Sequence, residues 1–378
     1  MATKSACFTS IDVMAAQRED VRSPATEKFT GRVAKAVEGL TPGYFALVMG
    51  SGIISVGLIL QGFTVLSYLL LGICAAAFVI LAVLNLWRIV GYRPAVVDDF
   101  NDARRAFGFF TLIAGTNVLG VRLATEGSYG ITAVLLAISG LAWFVLGYVI
   151  PWSAVLSTRT RPVVARANGT WFIWVVASQS VAVAAATIEP VFVTARDALA
   201  VVAVFSWSVG VFLYAAAGIF VSLRMMLYEL NPEDLNPPYW VAMGACAITV
   251  LAGARIVEMV DAPMVTATRG LVAGLSVVFW AFATWLIPAL IAAGWWRHRW
   301  HRVPLRYEAT WWSIVFPFGM YAVAGIYLGQ ANDLPLVGAI GAAWLWVALA
   351  VWGIAFVAMI VNLVRTVVLP SRARSAIG

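Results

Sequence analysis

The hydrophobic and polar positions of this chain are arranged in long blocks rather than in alternation. Apolar runs of roughly 20 residues or more are separated by short polar stretches. Strands of a membrane barrel would instead alternate apolar and polar residues over ~10-residue segments. Because lipid offers no hydrogen bonds to the backbone, a continuous apolar run of this length is satisfied only as a helix. The pattern therefore predicts an all-α membrane protein.

Ten runs are long enough to cross a bilayer. They lie near 43–61, 64–90, 106–124, 129–156, 168–188, 196–228, 239–260, 268–296, 309–329 and 335–364. The polar stretches between them are too short for a separate soluble domain. The sequence thus predicts three parts, namely a polar tail over 1–42, a ten-helix transmembrane domain over 43–365 and a second polar tail over 366–378.

The spacing of the odd-numbered runs indicates repetition. They begin near 43, 106, 168, 239 and 309, at intervals of 63, 62, 71 and 70 residues, and each opens with aromatic residues. The links at 61–63 and 329–334 are short, so each odd span must pack against the even span that follows it. These features predict five similar helical hairpins. Since aromatic rings favour the membrane interface in helical proteins generally, the fivefold organisation is a hypothesis at this stage.

The basic residues are distributed unevenly over the predicted topology. If the N-terminus is cytoplasmic, 21 of the 25 Lys and Arg residues fall in inner segments. This asymmetry predicts a multi-pass protein of the cell (inner) membrane with both termini in the cytoplasm. The formal charge of +7 then reflects orientation, and no nucleic-acid partner is predicted.

Composition narrows the possible functions. With 62% hydrophobic residues, 11% charged residues and a mean hydropathy of +0.90, the chain is not a soluble globule. Its cysteines, Cys7, Cys74 and Cys246, are isolated, and its histidines, His298 and His301, lie in a basic loop. The spans therefore lack the ligand clusters of metal or redox sites. We expect no metal, no cofactor and no enzymatic activity.

Polar residues occur at comparable depths in the odd spans. Seven to eleven residues from the span starts stand Ser51, Thr116, Asn117, Ser178, Gln179 and Thr249, and the fifth span has Phe316 followed by Pro317. If the odd helices surround an axis, the polar groups line a neutral conduit that Phe316 narrows. The alternative is that the hydroxyls bond to their own helices or to neighbouring ones.

One pair of charges lies near the end of the seventh span. Arg255 and Glu258 are three residues apart, so they are neighbours on one helix face. A structural ion pair is one interpretation. The other places Arg255 in an outer vestibule, where it attracts arriving anions.

Three motifs resemble one known family. The segment Trp311-Trp312-Ser313-Ile314-Val315-Phe316-Pro317 resembles the ninth-helix signature of the plant guard-cell slow anion channels and their bacterial tellurite-resistance/C4-dicarboxylate transporter relatives. The stretches 42–50 and 237–245 resemble the openings of the family's first and seventh helices. The likeness extends over all ten predicted spans.

The resemblance implies a fold and a function. The family's fold is five helical hairpins around a quasi-fivefold central pore, with odd helices inside, even helices outside and three subunits packed together. The family's pore-blocking phenylalanine falls on Phe316, before Pro317. Members often kink several pore helices with proline, whereas here only the ninth span among the odd ones has a central proline.

The predicted function is transport of small anions or C4-dicarboxylates through a phenylalanine-gated pore in a lipid-embedded homotrimer. The sequence leaves a proton-coupled dicarboxylate or oxyanion carrier open, with Glu258 as its titratable candidate. A structural or sensory membrane protein is a remote alternative. The sequence does not separate channel from carrier, and it does not name the anion.

Overall fold

The computed structural model of the chain describes residues 24–156, 161–260 and 262–368. Within these ranges the structure is helical and contains no β-strand. The α-helices are α1 (Pro24–Glu38), α2 (Ala46–Leu60), α3 (Thr64–Gly91), α4 (Arg93–Asn101), α5 (Phe110–Ala124), α6 (Tyr129–Ile150), α7 (Phe172–Ile188), α8 (Arg196–Leu227), α9 (Val241–Val257), α10 (Pro263–Trp295), α11 (Trp312–Ala331) and α12 (Pro335–Leu363). Cys7 and the tail segments 1–23 and 369–378 lie outside the described residues.

Ten helical segments of the described chain are long and apolar enough to cross a membrane. Each begins and ends within five residues of a run predicted from hydropathy. The predicted number and positions of the spans are therefore confirmed, and the chain is a multi-pass membrane protein. Hydropathy did not predict α1, because this helix is polar and lies within the N-terminal tail.

The spans divide into two sets by burial. In the most apolar stretches of the odd spans, built on α2, α5, α7, α9 and α11, 78–89% of the residues are buried. In the even spans, built on α3, α6, α8, α10 and α12, only 17–33% are buried. The even helices expose large apolar side chains such as Phe212 and Trp285, as a lipid-facing surface requires. We call the two sets the inner and outer helices.

The inner helices pack against one another in a closed order. Helix α2 contacts α5, α5 contacts α7, α7 contacts α9, α9 contacts α11, and α11 contacts α2 again. Each inner helix also packs against the outer helix that follows it in the chain. The odd and even spans therefore pair as hairpins, as the short links predicted.

The inner helices also share the way they begin. A short 3-10 turn leads into each one, at Pro42–Phe45, Ala106–Phe109, Gly169–Trp171, Pro237–Trp240 and Ala309–Trp311. These turns contain or adjoin the aromatic residues that mark the span starts in the sequence. Since neighbouring turns contact one another, the five starts gather at one end of the bundle.

Ion pairs fix the loops at this same end. The carboxylate of Asp99 on α4 forms ion pairs with Arg88 of α3 and with Arg105, at N–O distances of 2.8 Å each. Both side chains of the Arg88–Asp99 pair are almost fully buried. Removing one member of such a pair leaves the other charge without compensation, so the pair holds α4 against α3.

Candidate functional site

An open cavity lies where the five inner helices begin. It has a volume of about 230 Å³, and every inner helix start contributes to its wall. The contributing residues include Gly43, Gly108, Thr170, Pro238 and Thr310. We call this cavity the vestibule.

Two arginines give the vestibule its charge. Arg104 and Arg105 precede α5 and line the cavity. Their side chains are about half exposed, at 50% and 44%. Arg104 lies 4.0 Å from Asp234, and Arg105 lies 2.8 Å from Asp99, so both charges are partly compensated. The N-terminal ends of five helices add partial positive charge at the same place.

A second, much smaller cavity lies deeper between the same helices. Its volume is about 20 Å³, and it too is lined from all five inner helices, including Ile53, Asn117, Ser180, Ile248 and Met320. We call it the axial cavity. A single water requires ~10–15 Å³ on such a measure, so the space admits about one water molecule.

Phe316 lies on α11 between the levels of these two cavities. Ser313 lines the vestibule and Met320 lines the axial cavity, and Phe316 falls between them on the same helix face, because residues three, four and seven apart share a face. The ring is 1% exposed.

Contacts to either side fix the direction of that face. A methyl group added at Gly50 of α2 would lie 3.0 Å from Cγ1 of Val315. One added at Gly244 of α9 would lie 2.8 Å from Cγ of Pro317. Phe316 therefore lies between the α2 and α9 contacts.

The opposite side of α11 packs on its outer helix. Gly325 and Gly329 of α11 approach Gly341 and Gly338 of α12 so closely that an added methyl group would meet backbone at 2.7–3.1 Å. Gly325 is nine residues beyond Phe316, which is about half a turn around a helix of ~3.6 residues per turn. The Phe316 face thus points away from α12 and towards the other inner helices.

Asn117 is the predicted polar candidate that lines the axial cavity. Its amide nitrogen donates to Oγ of Ser180 on α7 at 3.0 Å, and its amide oxygen accepts from Oγ of Ser139 on α6 at 2.6 Å. The two serines therefore orient the amide between two helices. Ser180, which sequence depth alone did not single out, lines the cavity beside it.

Three other candidates are turned towards outer helices. Ser51 accepts from Nε1 of Trp352 on α12 at 2.9 Å, and Ser178 accepts from Nε1 of Trp143 on α6 at 2.9 Å. Gln179 donates from Nε2 to the carbonyl of Trp207 on α8 at 3.1 Å. These polar groups join inner helices to outer ones, which is the alternative that the sequence left open.

The two threonine candidates bond within their own helices. The hydroxyl of Thr116 donates to the carbonyl of Leu112, and that of Thr249 donates to the carbonyl of Ala245, both at 2.7 Å. This back-bonding to the preceding turn satisfies a hydroxyl without a solvent partner.

Arg255 and Glu258 form an ion pair at 2.7 Å, with side chains 23% and 34% exposed. The guanidinium also lies 5.3 Å from the ring centre of Tyr327 on α11. Among the described residues that line the vestibule and the axial cavity, neither member of the pair occurs.

The structure buries Arg122 completely within α5. Its guanidinium donates to Oγ of Ser55 at 2.8 Å, to Oγ of Ser67 at 2.9 Å and to the Glu126 carboxylate at 2.7 Å. Hydrogen bonds from Tyr68 and from Arg122 hold the pKa of Glu126 below its ordinary value. This cluster ties α5 to the first hairpin. The signal for it in the sequence was the charge inside an apolar span.

Comparisons with known proteins match most of the chain. The family model described as "SLAC1: Voltage-dependent anion channel" matches residues 39–360. Two uncharacterized transporters of Methanocaldococcus jannaschii are 23% and 22% identical, over 85% and 88% of this chain and 92% and 95% of their own. An uncharacterized membrane protein of Mycobacterium tuberculosis is 63% identical over 167 residues, which are 44% of this chain and 85% of that protein.

Proposed function

The chain belongs to the SLAC1 family, as its motifs indicated, and on this premise we propose that it conducts small anions or C4-dicarboxylates along the axis of its five inner helices. Membership agrees with the expectation of a transport protein rather than an enzyme. The observation that carries the proposal is a shared lining of two cavities. Both the vestibule and the axial cavity are lined from all five inner helices, and Phe316 lies between them on α11.

The charge distribution supports an anion as the substrate. Arg104 and Arg105 line the vestibule, and five helices direct their N-terminal ends towards it. Such ends attract anions without a formal charge of their own. Beyond the vestibule, the lining offers mainly aliphatic groups and the neutral pair Asn117 and Ser180. A neutral lining binds an ion weakly enough to let it leave.

The gate in this proposal is the Phe316 ring, with Pro317 as the residue that shapes the helix beside it. Proline has no N–H to donate to the preceding turn, so the backbone can bend at this point. The contacts of Val315 with Gly50 and of Pro317 with Gly244 hold this turn from both sides. A small displacement of the turn then moves the ring relative to the axis.

A channel agrees better with the contacts than a proton-coupled carrier does. The carrier hypothesis requires Glu258 as its titratable group. This carboxylate forms an ion pair with Arg255 at 2.7 Å and is 34% exposed. We therefore propose that transport has the same pH dependence in wild type and Glu258→Gln. We further propose that the protein lies in the cell membrane with both termini inside and assembles as a homotrimer.

The decisive experiment measures anion flux into proteoliposomes for chloride, nitrate and malate. Phe316→Ala is expected to raise the flux at least about tenfold, which corresponds to ~1.4 kcal/mol of barrier removed. Phe318→Ala is the matched control. Its ring lies on the same helix, but it packs 5.4 Å from Trp344 of α12, away from the axis. Equal flux in the two variants would contradict the gate, and no flux in any variant would contradict the conduit.

A further inference from the structure

A large cavity of the described chain lies on the lipid-facing side, away from the axis. It has a volume of about 930 Å³ and runs between the outer helices α8 and α10. Tyr214 and Met225 of α8 form one wall, and Phe282 and Leu290 of α10 form the other. We call it the lateral groove.

The floor of the lateral groove belongs to the inner helices. Trp240 at the start of α9 and Ile314 of α11 line it between the two outer helices. Ile314 precedes the proposed gate Phe316 by two residues, and the Trp240 ring lies 5.0 Å from that of Phe318. An occupant of the groove therefore touches the helices that form the axis.

The groove has the depth of one bilayer leaflet. Its wall on α10 and the following turn extends from Phe282 to Arg297, which is ~22 Å at ~1.5 Å per residue. Half of a hydrocarbon core is ~15 Å, and the headgroup layer adds several Å more. The groove matches an acyl chain lying along a helix, with its polar end at the membrane surface.

The polar end of the lateral groove carries one arginine and one histidine. Arg297 and His298 line it there. Arg297 donates from Nη1 to the carbonyl of Glu233 at 3.2 Å, and its Nε is buried with no hydrogen-bond partner among the described residues. A guanidinium carries five N–H donors, and the Glu233 carbonyl takes one of them. A phosphate oxygen at the rim of the groove suits such a group in both hydrogen-bond geometry and charge.

A second groove on the lipid-facing side differs from the lateral groove in its charge. It lies between α6 and α8, has a volume of about 620 Å³ and is lined by aromatic residues such as Trp143, Tyr148 and Phe205. Among the described residues that line it, none is charged. Both grooves suit acyl chains, but only the lateral groove offers a cation, Arg297, to a headgroup.

We propose that the lateral groove binds an anionic phospholipid, with its acyl chains between α8 and α10 and its phosphate at Arg297 and His298. This site does not depend on the proposed anion pathway, since lipid binding is measurable without transport. The bound lipid buries the apolar floor at Trp240 and Ile314 and places a ligand against α9 and α11.

The test is native mass spectrometry of the full-length protein, equilibrated with phosphatidylglycerol or phosphatidylcholine of identical acyl chains. Gly294→Leu fills the groove, and Gly274→Leu is its control on the same helix. A Cβ atom added at either position has no atom within 4 Å, but only Gly294 lines the groove. Arg297→Gln removes the rim charge, and Arg299→Gln removes an exposed charge from the same turn.

Wild type is expected to retain phosphatidylglycerol over phosphatidylcholine. Arg297→Gln should reduce that preference about fivefold while Arg299→Gln keeps it, as expected for a single basic residue at a lipid surface. Gly294→Leu should lower retention of both lipids, and Gly274→Leu should lower neither. The proposal is overturned by equal retention of the two lipids in wild type or by equal effects of the two arginine variants. A changed mass of the intact assembly in Gly294→Leu, with lipid retention unchanged, also overturns the proposal, because a second copy of the chain then occupies the groove.

Discussion

The contact between Gly244 and Pro317 gives the sharpest test of how the Phe316 turn is held. A methyl group added at Gly244 would lie 2.8 Å from Cγ of Pro317, 3.1 Å from Cβ and 3.2 Å from Cα. Carbon atoms in contact prefer ~3.5–4.0 Å. Because the near atoms belong to a ring and a backbone, no side-chain rotation relieves the overlap. Gly244→Ala must therefore displace the Pro317 turn by roughly 0.7 Å or more.

The expected cost follows from a matched substitution. Gly115→Ala lies on the inner helix α5, and its added methyl group would meet the Phe45 carbonyl at 3.4 Å and Cβ of Val48 at 3.5 Å. Both substitutions gain the ~0.5–1 kcal/mol by which alanine favours a helix over glycine. Only Gly244→Ala adds overpacking, which typically costs ~1–3 kcal/mol. The difference between the two variants in the free energy of unfolding is therefore expected to be about 1–3 kcal/mol.

Two assays measure this effect. Equilibrium unfolding in SDS and detergent mixed micelles gives the stability difference, and proteoliposome flux measures the effect on the proposed gate. Gly244→Ala should raise chloride flux in the wild-type background, because it moves Phe316 with Pro317. It should add nothing in the Phe316→Ala background, where the ring is absent. Stability equal to that of Gly115→Ala, or the same flux increase with and without the ring, would refute the reasoning.

Two further predictions follow from the polar contacts. Hydrogen bonds from Tyr68 and Arg122 lower the pKa of Glu126 in the folded state below its ordinary value near 4.5. The ionised carboxylate therefore stabilises the fold above that ordinary pKa, and this stabilisation is lost as the pH falls through the lower pKa of the folded state. Glu126→Gln should therefore be less stable than wild type at pH 7, with a difference that shrinks below about pH 4.5 in unfolding curves measured at successive pH values; a constant difference contradicts the linkage. In the Phe316→Ala background, Asn117→Leu should change the ratio of chloride to nitrate permeability obtained from reversal potentials, because Asn117 lines the axial cavity. Ser51→Ala should leave that ratio unchanged, because its hydroxyl faces Trp352, and identical ratios in both variants would remove Asn117 from the pathway.

Hydropathy predicted the spans well because it depends only on length and composition. A helix that crosses lipid needs ~20 apolar residues, and the ten runs met that condition without reference to the fold. The starts of the odd spans were also predictable, since their aromatic residues adjoin the 3-10 turns that precede the inner helices. Hydropathy does not predict the contrast in burial between odd and even spans, because a buried inner helix and a lipid-facing helix are both apolar all round.

Depth was easier to predict than direction around the helix. Ser51, Asn117 and Ser178 stand at similar depths, and only Asn117 lines the axial cavity. Counting residues from a span start gives depth at ~1.5 Å per residue, but the direction a side chain takes depends on how each helix is rotated against its neighbours. That rotation is set by tertiary contacts, such as the Gly341 approach to the α11 backbone, and no single sequence pattern fixes it.

The direction of those polar groups has a consequence for the axis. Indole N–H groups of three outer helices donate to inner ones, from Trp143 to Ser178, from Trp207 to the Thr249 carbonyl and from Trp352 to Ser51. A polar group within lipid is stable only when it has a hydrogen-bond partner. These contacts therefore satisfy the polar groups on the outward faces of the inner helices. The axis is left with mainly aliphatic side chains and the oriented amide of Asn117. Such a lining holds little water when it is narrow, so in the proposed pathway the charged vestibule attracts the anion. The outer helices thus keep the inner ring in place and leave its interior neutral.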